Sequence, residues 1–317
     1  MRDHGGNLDA ARTRYGAGDW IDLSTGINRV PWPVPVLPAR AWTDLPTRAD
    51  MDRLAEAARR AWGVTGAVVP LAGASQAIQL VPHLAPPGLA RVLSPTYNEH
   101  AAALAQAGWR VEEVAEPRAL EGADMAVVVN PNNPDGRDLP PSALLDLLQK
   151  VGTLVVDESF ADPTPELSLA GETGRGNLWV LRSFGKFYGL AGLRLGFALG
   201  APEAAERLAA LAGPWPVCGA AVEIGARALA DTGWQAATAA RLAEDAHRMD
   251  RLSPWPLAGG TTLFRLYDTP DAAAAQDALA RHRIWSRIFP WSRRLIRLGL
   301  PAPQEWGRVD RALATAN

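Results

Sequence analysis

The sequence predicts an α/β protein: a large domain with a mostly parallel sheet covered by helices, followed by a small C-terminal α/β domain. Three observations point there. Short runs rich in Val and Leu recur between stretches whose apolar residues follow helical spacing. Those runs are apolar throughout rather than alternating, as strands covered on both faces must be. At 317 residues the chain exceeds what one core usually organises, about 250–300 residues, so a second, smaller domain is expected.

Taken in order, residues 1–45 carry Pro31, Pro33, Pro35 and Pro38 among several glycines. That composition disfavours regular structure and predicts an N-terminal arm laid over other surfaces. The large domain is expected over residues 46–212 and the small one over 213–317. Helical spacing begins near Met51 and continues to Trp62. Strands are expected at residues 68–70, 91–94, 125–130, 153–157, 178–181 and 195–199. Helices alternate with them at residues 75–84, 97–107 and 142–150, and another follows at 202–211. Gly213-Pro214-Trp215-Pro216 breaks the pattern, and one long helical stretch is expected over 220–252. The terminal unit reads as strands at 261–266, 284–289 and 295–298 with helices at 271–282 and 305–315. In a doubly covered sheet ligands bind outside the carboxyl ends of the strands. Asn130 and Asp157 each end an apolar run, so both are expected to face that crevice.

Composition removes several function classes. The formal charge is −2 with pI near 6.2 and no basic block, which argues against nucleic-acid binding. No run of about 18 apolar residues suggests a membrane span, and residues 1–7 lack the apolar stretch of a signal peptide, so a cytoplasmic protein without membrane partners is expected. Cys218 is the single cysteine, which excludes an intramolecular disulfide. It is expected as a small buried apolar side chain. No metal site is expected.

Lys186 stands out because the chain has two lysines against 30 arginines. Arginine keeps its proton in a protein and cannot attack a carbonyl, whereas a lysine with a lowered pKa can form a Schiff base. A strand-like run precedes Ser183-Phe184-Gly185-Lys186, and a second apolar run follows Arg194, which places Lys186 in a tight glycine-rich loop. Gly73-Ala74-Ser75 opens a helical stretch, where unpaired N–H groups and the positive helix end suit an anion.

Four segments in order, Gly73-Ala74-Ser75-Gln76, Asn130 to Gly136, Val155 to Phe160 and Ser183 to Arg194, resemble fold-type I enzymes that use pyridoxal 5′-phosphate (PLP). The resemblance is to the class I/II aminotransferase-like family. The resemblance implies that Lys186 holds the cofactor aldehyde. It implies that Gly73, Ala74, Ser75, Ser183 and Arg194 cradle the phosphate, and that Asp157 pairs with the ring nitrogen. Asn130 then meets the phenolic oxygen and Tyr97 stacks on the ring. The catalytic pair is Lys186 and Asp157.

His4-Gly5-Gly6-Asn7, Asp22 to Asn28, Pro214 to Val217 and Ile296-Arg297 narrow the resemblance to the threonine-phosphate decarboxylase branch of cobalamin biosynthesis, related to histidinol-phosphate aminotransferases. By that resemblance His4, Asn28, Arg287 and Arg297 contact substrate phosphate or carboxylate. Phe160 stands where many relatives carry Tyr, which favours this branch. Leu45 stands where relatives often have a Tyr that reaches the neighbouring subunit's PLP phosphate, and that contact is in doubt. A homodimer is the family expectation. Two other readings stay open: an aminotransferase on a phosphorylated amino acid such as histidinol phosphate, and a PLP-binding regulatory protein without turnover. The absence of an N-terminal DNA-binding domain and the joint presence of Lys186, Asp157 and Asn130 count against the second.

Overall fold

The computed structural model describes residues 4–316. Its strands are β1 (Ile21–Asp22), β2 (Ala67–Leu71), β3 (Leu89–Leu93), β4 (Arg110–Val114), β5 (Met125–Val129), β6 (Thr153–Asp157), β7 (Leu178–Ser183), β8 (Gly196–Gly200), β9 (Leu257–Thr261), β10 (Phe264–Asp268), β11 (Ile284–Trp285), β12 (Arg287–Phe289) and β13 (Ser292–Gly299). Its α-helices are α1 (Leu8–Tyr15), α2 (Arg40–Thr43), α3 (Arg48–Trp62), α4 (Ala74–Leu80), α5 (Glu99–Gln106), α6 (Pro141–Leu148), α7 (Phe184–Phe187), α8 (Pro202–Ala212), α9 (Gly219–Ala230), α10 (Thr232–Leu252), α11 (Ala272–Arg281) and α12 (Trp306–Ala314). They divide into a large unit, residues 32–133 and 138–235, and a smaller one, residues 4–31, 134–137 and 236–316. The sequence places divisions at 45 and 212; the structure draws them elsewhere, since residues 4–31 pack with the C-terminal segment and α9 stays in the large unit.

The large unit is built on one seven-stranded sheet, order β2-β8-β7-β6-β5-β3-β4, in which β8 alone runs against its neighbours. Strand β5 is buried at every residue, because helices cover both faces of the sheet centre. Val69, Leu71, Ile78, Val92, Leu104, Val127, Val155, Leu181 and Leu208 form one contiguous core beneath α4, α5 and α8. Each such side chain contributes about 1.5–3 kcal/mol on burial. The sheet edges follow a different logic. Pro70 sits in edge strand β2, where its missing N–H need not break a ladder bond. At the other edge β4 exposes Arg110, Glu112 and Glu113, charges that discourage pairing with another sheet. That polarity is why the apolar-run criterion does not find β4.

In the smaller unit β12-β13-β10-β9 form an antiparallel sheet, and β1 pairs with β11 in parallel. The strand expected at 261–266 is a hairpin, β9 and β10. Its first arm is hidden in sequence by Gly259 and Gly260. Those glycines admit another backbone, since Gly260 N–H donates to Asp135 O at 2.7 Å and a Cβ on Gly259 would lie 2.1 Å from that oxygen.

Other differences are local. The expected arm contains α1, capped by the Asn7 side chain accepting from Ala10 N–H, with Ala11 packed against Trp20 and Ala280. The long stretch over 220–252 is two helices, because the Asp231 carboxylate caps α10 at Trp234 N–H and also accepts from the Trp32 indole. Cys218 is exposed at the N-cap of α9 and contributes nothing to a core. Within the tight glycine-rich segment expected around it, Lys186 lies in the one-turn helix α7. Among the described residues no helix is long and apolar enough to cross a membrane.

Candidate functional site

Topology alone gathers the candidate residues of the large unit. Strands β3, β5, β6, β7 and β2 share one direction, so Tyr97, Asn130, Asp157, Ser183 and Gly73 all leave the sheet at one carboxyl edge. Strand β8 runs the other way, so its start, just after Arg194, lies at that edge too. This edge is where open α/β sheets bind ligands.

Gly73 has φ +84°, and a Cβ there would sit 2.8 Å from Arg194 Nη2. Only glycine lets the guanidinium come over the start of α4. Gly196 repeats the device, since its Cβ would lie 2.2 Å from Ala74 N. The N–H groups of Ala74 and Ser75 open the helix and have no acceptor within it, so they and Arg194 could hold an anion. Arg194 has a left-handed backbone and anchors Nη1 on Ala191 O at 3.1 Å.

Lys186 follows Ser183, the N-cap of α7, and is half-buried. Phe184 N–H donates to Leu195 O, which closes the segment into a loop. Tyr188 is stacked between Phe184, 4.2 Å between ring centroids, and Trp234 at 5.6 Å, which pins the turn from below. Lys186 Nζ stands 5.7 Å from the centre of the buried Phe160 ring. Lys150, the other amine, is exposed and pairs with Glu121 at 2.8 Å.

Asp157 is buried and already meets the donors of two residues. Its Oδ1 accepts from Ser159 N–H and hydroxyl, and its Oδ2 lies 2.8 Å from His100 Nε2. Burial by itself raises the carboxyl pKa, yet the His100 hydrogen bond and charge, with the Ser159 donors, hold it below the ordinary range. The group therefore stays anionic. Asn130 is buried and fastened to Leu139, donating to its carbonyl at 3.1 Å and accepting from its N–H at 2.8 Å. One Nδ2 hydrogen makes that bond; an amide nitrogen carries two. Tyr97 is half-buried beside His100, ring centroids 6.3 Å apart at 83°.

Beneath this edge lies a buried ion-pair cluster. Arg182 Nη1 donates to Glu158 at 2.8 Å, Nη2 donates to Asp162, and the guanidinium sits 4.6 Å over the Trp62 ring. Burial pushes Glu158 up, opposed by Arg182, the Ser168 hydroxyl and the Leu169 N–H. Arg182 is held charged by both carboxylates. Because Glu158 follows Asp157 and Arg182 precedes Ser183, the cluster ties together the two strand ends that carry the site. Sequence reading missed His100 and Arg182. The available signal was a polar residue in an apolar setting, which must find a partner.

The remaining candidates all belong to the smaller unit. Arg297 is buried and donates from Nη2 to Ser24 O at 2.7 Å. Gly6 N–H donates to Ser24 Oγ at 2.7 Å, and a Cβ on Gly5 would lie 2.3 Å from Ser24 O. The two glycines after His4 thus let the arm press onto the carbonyl that Arg297 uses. Asn28 Oδ1 accepts from Arg241 at 2.7 Å and from Val30 N–H at 3.0 Å. Arg287 is the register partner of Arg297 on the adjacent strand. Burial first, then the Arg287 charge, pushes Arg297 down to about 10 against the opposing pull of Asp22. The guanidinium keeps its charge at neutral pH, so an anion beside it is favoured.

Comparison with known proteins follows the same line. The model of the family described as aminotransferase class I and II matches residues 44–309. A threonine-phosphate decarboxylase of Pseudomonas aeruginosa is 44% identical over 99% of this chain and 97% of its own. Among solved structures, the L-threonine-O-3-phosphate decarboxylase of Porphyromonas gingivalis superposes with a TM-score of 0.73 at 21% identity, covering 92% of this chain and 98% of the other. The histidinol-phosphate aminotransferase of Sinorhizobium meliloti in complex with pyridoxal-5′-phosphate superposes with a TM-score of 0.83 at 19% identity, covering 100% and 95%. At those identities the structural likenesses carry the fold alone.

Proposed function

The chain belongs to the class I and II aminotransferase family, and we propose that it is a PLP-dependent decarboxylase that converts L-threonine O-3-phosphate to (R)-1-amino-2-propanol O-2-phosphate and CO2, a step of cobalamin biosynthesis. The observation that carries this reading is the 44% identity to the Pseudomonas enzyme along essentially the whole chain. The site chemistry fits the cofactor. Gly73, Ala74, Ser75 and Arg194 make a cradle that a Cβ on Gly73 would fill, suited to the phosphate, and Ser183 adds a hydroxyl. When bound, PLP supplies an electron sink for the pair left at Cα as the carboxylate departs.

This chain's residues do the rest. Lys186 would hold the cofactor's aldehyde, and Lys186 or a water would supply the proton that Cα takes up. Asp157, kept anionic despite its burial, would hold a proton on the ring nitrogen, and His100 and Ser159 hold Asp157. Asn130, whose amide nitrogen has a second hydrogen beyond the one given to Leu139, would donate to the phenolic oxygen, and Tyr97 would cover the ring. Phe160 presents an apolar ring near Lys186 and brings no hydroxyl to the phenolic oxygen. Arg287 and Arg297, with His4 and Asn28, take the substrate's anionic groups. Binding energy from the phosphate, remote from the reacting bond, is available to orient the carboxylate. The reading includes a cytoplasmic homodimer. Val36, Trp42 and Leu45, exposed on one segment of the large unit, supply apolar surface for a second copy.

The test is CO2 release from L-threonine O-3-phosphate with no keto-acid acceptor. CO2 without acceptor is expected. No CO2, with glutamate accumulating from histidinol phosphate and 2-oxoglutarate, assigns the chain to the aminotransferases.

A further inference from the structure

Arg287 and Arg297 occupy directly facing positions on β12 and β13, so their side chains leave the same face of the sheet. Like charges placed so close repel, and nothing in strand geometry keeps two long side chains parallel. Each guanidinium, however, lies over the face of a phenylalanine. Arg297 Cζ is 5.1 Å from the centre of the Phe264 ring, and Arg287 Cζ is 5.5 Å from that of Phe289. Phe264 is the diagonal neighbour of Arg297 across β10 and β13, since Leu266 faces Arg297 and Phe264 faces Gly299. Phe289 is backed in turn by Trp291, 5.1 Å between ring centroids.

We propose that Phe264 and Phe289 are positioning residues whose ring faces hold Arg297 and Arg287 side by side as a two-guanidinium seat for the dianionic phosphate of the substrate. This rests on the reading above that these arginines take the substrate's anion. Stacking on a ring face leaves the guanidinium edge, with its N–H donors, to address oxygen. Two such edges, two positive charges and fixed spacing match a phosphate monoester, which carries nearly two charges near neutral pH, better than a single carboxylate. The Phe264 ring adds to the hold that Ser24 O has on Arg297, and the Phe289 ring opposes the repulsion that would turn Arg287 away from Arg297.

The experiment uses the PLP-loaded enzyme and its Phe289→Leu, Phe289→Met and Phe289→Tyr variants. Phe289 is half-buried near a hairpin tip, and Met fills the space without offering a face. Calorimetric binding of inorganic phosphate needs no turnover and reads the seat directly. Leu and Met should weaken it about tenfold and raise KM for L-threonine O-3-phosphate to a similar extent, with kcat falling less. Tyr, which restores the face, should return both values to within about twofold of wild type. Folded Leu and Met variants that bind phosphate as wild type does overturn the proposal, as does a wild type that binds no phosphate. A wild type that binds phosphate and releases no CO2 sinks the decarboxylase reading instead, and the phosphate comparison still decides the role of Phe289.

Discussion

His100→Leu removes the Nε2 contact to Asp157 Oδ2 while keeping an apolar side chain in the space. Both partners are 3% exposed, so water cannot take over the lost bond. A hydrogen bond to a charged group contributes about 1.5–3 kcal/mol, and Asp157 retains its two Ser159 donors, so a loss of about 2 kcal/mol is expected at neutral pH. The sign of the pH dependence follows from the shift. Burial raises the Asp157 pKa, but His100 and then Ser159 bring it below the ordinary value. A carboxylate depressed in the folded state contributes stability that is present above its unfolded pKa, about 3.9, and is lost as pH falls through the folded value. Taking His100 away removes the largest opposing contribution and lets burial win. The stability gap between wild type and variant should therefore open as pH rises past the wild-type carboxyl's depressed folded value and close on acidification. Urea unfolding of both cofactor-free proteins as pH is lowered measures it. Identical midpoints at every pH would refute the claim that His100 keeps Asp157 ionised.

Lys186→Ala should abolish turnover and the visible absorbance of the lysine-linked cofactor; borohydride reduction of wild type with peptide mapping should label Lys186, and label on Lys150 sinks the assignment. Asp157→Asn, an amide that cannot hold the ring nitrogen protonated, should lower kcat by at least about a hundredfold while the circular dichroism spectrum stays native. Gly73→Ala places a side chain at φ +84° and 2.8 Å from Arg194 Nη2. A backbone cost of about 1–3 kcal/mol and a displaced guanidinium should weaken PLP binding tenfold or more in equilibrium titrations. Arg182→Met strands Glu158 and Asp162 as buried charges. It should cost about 3–5 kcal/mol by urea denaturation, and an unchanged midpoint would show the cluster to be neutral for stability.

Much of this was legible in sequence because the signals are local. A lysine where the rest of the chain uses arginine, a glycine opening a helix and polar residues ending apolar runs each state their chemistry within a few residues. The covered parallel sheet follows from runs that are apolar on both faces, and from it the carboxyl edge that gathers Asn130, Asp157 and Ser183. Strand β4 and the first arm of the β9–β10 hairpin escaped, the one because it is a charged edge, the other because glycines hide its pattern. Helix α1 escaped because its setting is rich in glycine and proline, although Asn7 caps it.

What the tertiary structure alone decided is partnership. His100 meets Asp157 across 57 residues, Arg182 meets Glu158 across 24, and Arg297 reaches Ser24 across 273. No local pattern encodes such pairings. They arise because burial removes water, and each polar group must then find its partner from whichever strand end the fold has brought beside it. The sequence by itself determined which residue types the chemistry needs and where the strands carrying them end. The fold decided which charges those residues keep, because that depends on neighbours the chain supplies only once it has closed on itself.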